Sequence, residues 1–154
     1  YEGARHQLVN ATFGPAPDRP IPIWIGPGGP RILRLTGRLA DGVLVSVPYV
    51  PPEQLGEVHR QIDEGAAAVG RSPAAVRRGY NLMGVLDTGG GGRIRPRPGM
   101  IAGGVDEWTE TIVRFATEFR MDTFTCWPVA GAELRQIEVF AGEVVPRVRA
   151  ELNR

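Results

Sequence analysis

Apolar and polar positions along the chain fall into short blocks that switch between strand-like runs and helical spacing. Residues 4–13 are mixed, and GPAPDRP, from Gly14 to Pro20, is too rich in proline for a regular element, so it reads as an extended connector. Ile21, Ile23 and Ile25 with Trp24 then form an apolar run, as expected of a strand buried on both faces of a parallel sheet. Pro20 and Pro22 confine it to its C-terminal part. From Arg31 to Ala40, Ile32, Leu33, Leu35 and Leu39 follow helical spacing, with Arg31, Arg34 and Arg38 outside and Pro30 suited to the first helical position. Asp41-Gly42 is a turn, and Val43 to Val47 a second buried strand. Leu55, Val58, Ile62 and Ala66 share a face of the next helix, which Gly70 ends.

Val76 to Leu86 predicts a third strand, and the glycine-rich stretch from Asp87 to Gly104 a long loop. Val105 to Phe119 restores the helical period through Trp108, Ile112, Phe115 and Ala116. MDTFTCW (121–127) is a fourth strand, and Leu134 to Leu152 a closing helix with Ile137, Phe140, Val144 and Val148 apolar. This order predicts an α/β class built of parallel β/α units with helical crossovers. No strand shows a polar face and each ends in a loop bearing Gly, Ser or Pro, the pattern of half of an eight-strand barrel.

Composition narrows the chemistry. At 154 residues the chain is one domain's worth, and its net charge of +1 gives no general pull toward nucleic acid. All eighteen basic residues are arginine, so no lysine is present to form a Schiff base or clamp a phosphate. Cys126 is the only cysteine, which excludes an internal disulfide and a cysteine zinc site. No apolar run reaches the length of a membrane span, and a cytoplasmic protein is expected.

The stretch with most to say is IGPGGPRIL. An apolar strand delivers the chain to Gly26, Gly28 and Gly29 directly before a helix, where unpaired N–H groups and the positive end of the helix dipole favour an anion, typically phosphate. Neither the dinucleotide GxGxxG pattern nor the P-loop GK[ST] is met, since Arg31 stands where the third glycine would be. A tight βα turn that uses glycine for unusual torsions is the alternative.

PIPIWIGPGGPRILRLTGRLADGVLVS resembles a segment of the bacterial-luciferase-like flavin- or deazaflavin-dependent oxidoreductases, where a PIWIG strand is followed by a Gly-Pro helix start and an ADG turn. YVPPEQLGEVHRQIDEGAAAVGRSPAAVRR, GGVDEWTETIVRFATEFRMDTFTCWP and VFAGEVVPRVR are similar to later segments of the same family, in order. The resemblance spans residues 14–150. It implies one luciferase-like domain over 1–154, the C-terminal half of a (β/α)₈ TIM barrel. It also implies a fragment of a longer chain, or a half-barrel completed by a missing N-terminal half or by a homodimer partner. The cofactor it implies is coenzyme F-420 (F420), a deazaflavin, with FMN as the alternative. Its phosphate would be held by the amides of Gly28, Gly29 and Arg31, with Gly26 as the hinge. The activity would be hydride transfer or oxygen activation on a small organic substrate, as a reductase or monooxygenase, and the alternative is a noncatalytic half-barrel or assembly module.

The same resemblance places a substrate-facing residue at Ser46 and brings Tyr49 to the same mouth; a turn-capping serine and an exposed loop aromatic are the alternatives. Trp127 and Cys126 read as packing, Asp41 as a structural turn, and Glu53 as favouring a helix N-terminus. His6 and His59 have no partner at metal-ligand spacing, and His59 reads as solvated on the polar side of its helix. Arg93, Arg95 and Arg97 could reach an anionic cofactor tail or lie in a solvated loop. No catalytic acid or base is identified.

Overall fold

The computed structural model describes residues 2–11, 14–26, 28–89 and 99–153, so Pro27 and the arginines at 93, 95 and 97 lie outside the described residues. The strands β1 (Trp24–Ile25), β2 (Gly42–Ser46), β3 (Arg77–Leu86), β4 (Ile101–Gly103) and β5 (Thr123–Pro128) form one sheet. The helices α1 (Pro30–Leu39), α2 (Leu55–Ala67), α3 (Val105–Phe119), α4 (Glu133–Val139) and α5 (Val145–Leu152) lie between and after them. Every strand pair is parallel, as the alternation of strand and helix requires. The long β3 is the spine. β2 pairs with its first half, β5 with Gly79–Gly84, and β4 with its last three residues.

The helix-facing side of the sheet carries Val43, Val45, Tyr80, Leu82 and Leu86, all buried against Leu55, Ile62, Trp108, Ile112 and Phe115 of α2 and α3. The two large polar aromatics inside this layer are satisfied, while His59 Nδ1, Gln61 Oε1 and Arg78 Nη1 are buried without a partner among the described residues. The Tyr80 hydroxyl donates to the Val50 carbonyl at 2.6 Å, and the Trp108 indole to the Val85 carbonyl at 3.2 Å. Gln136 ties β3 to the chain after β5: its Oε1 accepts from Leu86 N–H at 2.8 Å and its Nε2 donates to Val129 and Gly131 carbonyls.

Four expectations are corrected. β1 is two residues long and is not buried on both faces: Ile21 and Ile23 are 72% and 63% exposed, because β1 pairs only with β2 among the described residues. In α1 the buried positions are Leu33, Thr36 and Gly37, while Ile32, Leu35 and Leu39 are exposed. The cause is a close helix crossing. A Cβ on Gly37 would stand 2.0 Å from the Ile62 carbonyl oxygen, and one on Gly65 2.1 Å from that of Arg34, so α1 and α2 meet backbone to backbone. This contact turns the glycine side of α1 inward.

The stretch after β3 also holds a strand, β4, where only a loop was expected. The closing helix is interrupted by a π turn, Phe140–Val144. Pro146 has no N–H for the carbonyl four residues back and its ring crowds that carbonyl; the wider turn directly before it relieves both. No helix among the described residues is long and apolar enough to cross a membrane.

Candidate functional site

β1 and β2 run parallel, with Trp24 opposite Gly42 and Ile25 opposite Val43, so the loop after β1 and the turn after β2 leave the sheet at the same edge. In the first, Gly29 is the N-cap of α1 with φ −67° and ψ −178°, and Pro30 occupies the first helical position. The Gly29 carbonyl accepts from Ile32 and Leu33 N–H at 2.9 and 3.2 Å, and the helix C-terminus is held by Arg71, whose guanidinium donates to the Gly37 and Ala40 carbonyls. The first turn of α1 is thereby closed, and its C-terminal end is tied to the chain after α2.

Two of the glycines here are not explained by torsion. Neither Gly26 nor Gly29 has a positive φ, and a Cβ at either would meet no atom within 4 Å. At Gly28 it would touch only the Ile32 side chain, at 2.9 Å. The backbone is therefore bare toward open space, the arrangement an anion requires if it is to reach N–H groups closely. The Arg31 side chain points elsewhere, into a groove of about 630 Å³ between α1 and α2 that it shares with Arg34 and Arg38. Only its amide belongs to the loop.

The second part of the site lies on the sheet face turned away from the helices. Contrary to the expectation that no strand shows a polar face, Ser46, Asn81 and Thr125 stand side by side in register across β2, β3 and β5. Thr125 Oγ1 donates to Asn81 Oδ1 at 3.0 Å and Asn81 Nδ2 donates to Ser46 Oγ at 3.3 Å. The Ser46 hydroxyl does not cap the turn that follows; the turn is closed by the Ser46 carbonyl, which accepts from Tyr49 and Val50 N–H at 2.9 Å each. Next toward the strand ends are Met83 and Trp127, opposite one another, and Trp127 is 44% exposed rather than core. On the other side of the row, Trp24 lies flat over Gly42 and Gly79, where a Cβ would stand 2.6 and 2.8 Å from its ring. Asn81 and Thr125 escaped the sequence reading because three polar residues in three distant strands make no local pattern.

The remaining candidates lie outside the loop and the Ser46–Asn81–Thr125 row. Tyr49 is 76% exposed, just beyond β2. Asp41 is structural, its Oδ2 accepting from Ile23 N–H at 2.8 Å. Glu53 sits in the short 3₁₀ turn Pro52–Gln54 that leads into α2. Cys126 is half-buried on the helix side, and burial pushes its thiol up to about 11. His59 is not solvated: the C-terminal end of α3 covers it, it is 4% exposed, and its Nε2–H donates to the Phe119 carbonyl at 2.9 Å. Burial, and then the cations Arg78 and Arg120, hold its pKa below the ordinary value, with Asp63 and the Phe119 carbonyl opposing. Arg78, also buried, pairs with Asp63 at 2.5 Å. This cluster lies near the N-terminal end of β3, at the opposite edge of the sheet. No group of His, Cys, Asp and Glu among the described residues could hold a metal ion.

Comparison with known proteins bears on this geometry. A family profile described as luciferase-like monooxygenase matches residues 1–88. A sequence relative, the F420-dependent glucose-6-phosphate dehydrogenase of Microbacterium testaceum, is 32% identical over 72 residues, 47% of this chain and 21% of that protein. The 5,10-methylenetetrahydromethanopterin reductase of Archaeoglobus fulgidus is 36% identical over 72 residues, covering the same shares. Among solved structures, an F420-dependent secondary alcohol dehydrogenase in complex with an F420–acetone adduct superposes with a TM-score of 0.75 at 16% identity, over 96% of this chain and 55% of that one. The coenzyme F420-dependent tetrahydromethanopterin reductase of Methanopyrus kandleri gives 0.69 at 18% identity, over 83% and 51%. The chain thus spans about half the length of these structures, and the sheet is a partial barrel of their fold.

Proposed function

The chain belongs to the luciferase-like monooxygenase family, and on that premise we propose that it is the cofactor-anchoring half of an F420-dependent oxidoreductase, with the cofactor's phosphate held by the loop at residues 26–31. The observation that carries the reading is the bare backbone at Gly26 and Gly29, open to space and free of the torsions that would otherwise call for glycine. The amides of Gly28, Gly29 and Arg31 are the donors, and the N-terminus of α1 supplies the favourable field. F420 is preferred to FMN because the Microbacterium testaceum relative and the two solved structures named above carry F420 in their names.

When bound, a deazaflavin supplies a ring carbon that accepts or donates hydride. The protein's own part, in this chain, is to bind and orient. The loop fixes the phosphate end, and the open sheet face, with Trp24, Met83 and Trp127 on it, offers an apolar wall beside which a ring is screened from water. The substrate is a small organic molecule approaching from the strand ends, where Ser46 and Tyr49 lie. No side chain of this chain is assigned as acid or base.

Fluorescence titration of the natural polypeptide carrying these residues with F420 and with FMN tests the reading. Saturable binding of F420, tighter than FMN, is expected. Binding of neither cofactor overturns it in favour of a noncatalytic half-barrel.

A further inference from the structure

The geometry points to the row Ser46–Asn81–Thr125 as a binding rung for a neutral carbonyl-bearing group, with Asn81 as the residue that positions the Ser46 hydroxyl. The inference deepens the oxidoreductase reading and rests on it.

Asparagine is disfavoured in strands because its amide competes for backbone hydrogen bonds and adds little packing. Here it sits in the middle of the ten-residue β3, on a face whose neighbours along the strand are Gly79, Met83 and Val85. Its two bonds run one way across the sheet. The Thr125 hydroxyl gives its proton to the Asn81 carbonyl oxygen, and the Asn81 amide gives one of its two protons to the Ser46 oxygen. The Ser46 O–H, its oxygen already occupied as acceptor, is left to donate outward, and the second Asn81 N–H is unused among the described residues. Two donors on one rung suit an oxygen acceptor.

The surroundings decide which kind. Among the described residues, this face carries no charged side chain between Gly79 and Val85: the rung is bounded by Met83 and Trp127 above and by Trp24 below. An anion would find no counter-charge, whereas a flat neutral group with a carbonyl oxygen meets apolar surface on both sides and donors in between. The cofactor ring and a carbonyl substrate both present that chemistry.

The test uses Asn81→Leu and, as a milder change that leaves the amide in place, Thr125→Val, each in the natural polypeptide. Four ligands are titrated: F420, the same deazaflavin lacking its phosphate, inorganic phosphate, and acetone added to F420-saturated protein. Should the ring occupy the rung, N81L weakens the phosphate-free deazaflavin about tenfold, the loss expected of one or two neutral hydrogen bonds, and T125V weakens it less. Should the substrate occupy it, ring affinity stays and acetone binding falls about tenfold. A purely structural Asn81 lowers thermal stability but moves the affinities for phosphate-free deazaflavin and for inorganic phosphate together; that result, or unchanged affinities for ring and acetone alike in folded N81L, overturns the proposal. Failure of the phosphate-loop reading is separable. Wild-type protein would then bind deazaflavin equally with and without phosphate, whatever N81L does.

Discussion

Gly29→Asp separates a phosphate cradle from a plain turn, because the two readings predict the same change in one measurement and different changes in another. Gly29 is the N-cap of α1 in extended conformation, φ −67° and ψ −178°, which aspartate adopts without strain, and its added Cβ would meet nothing within 4 Å. An aspartate there caps the helix and complements its dipole, contributing about 0.5–1 kcal/mol, or roughly 1–4 °C in Tm for a chain of this size. The same carboxylate stands where the phosphate would bind. Two unit charges about 5 Å apart at an effective dielectric near 20 repel by about 3 kcal/mol, which weakens F420 roughly 100-fold. Thermal unfolding and fluorescence titration on one preparation give both numbers. Higher stability with F420 affinity unchanged within about threefold would refute the cradle and leave the turn.

Other changes have definite signs. Gly37→Ala drives a Cβ to 2.0 Å from the Ile62 carbonyl oxygen and forces α1 and α2 apart; urea unfolding should show a loss of about 2–3 kcal/mol even after the ~1 kcal/mol that alanine gains in helix propensity. Gly56→Ala, with no atom within 4 Å of its Cβ, should be neutral or stabilising by under about 1 kcal/mol in the same assay. The buried His59 binds its proton less readily folded than unfolded. Its contribution is therefore full above its ordinary value of 6.5 and is lost as pH falls below that toward the lowered folded value; unfolding free energy between pH 7.5 and 5 should decline, and His59→Gln should flatten the decline. Cys126, with its thiol held near 11, should react with a disulfide reagent at pH 8 at least about tenfold more slowly in the folded protein than in urea.

The legible parts of the fold are those with local causes. Helical period and the caps Pro30 and Gly70 locate α1 and α2 to within a few residues, and apolar runs locate β2, β3 and β5. What escaped depends on partners distant in sequence. The inward face of α1 follows from Gly37 meeting Gly65 of α2, and no periodicity in 31–40 signals that Leu39 stays exposed. His59 looked solvated beside Glu57 and Asp63 because the α3 end that covers it lies sixty residues away. The proposed phosphate loop draws notice in the sequence because strand, glycines and Pro30 are contiguous. The rung was not, since Ser46, Asn81 and Thr125 join only when three strands align.

The central claim is that the loop from Gly26 to Arg31 holds the cofactor's phosphate, and the most direct measurement is the ratio of affinities for F420 and for the same deazaflavin without its phosphate. The structure predicts F420 binding tighter by at least about tenfold, as two or more charge-assisted backbone hydrogen bonds require, with the ratio collapsing in Gly29→Asp. Equal affinities in the wild-type protein would contradict it.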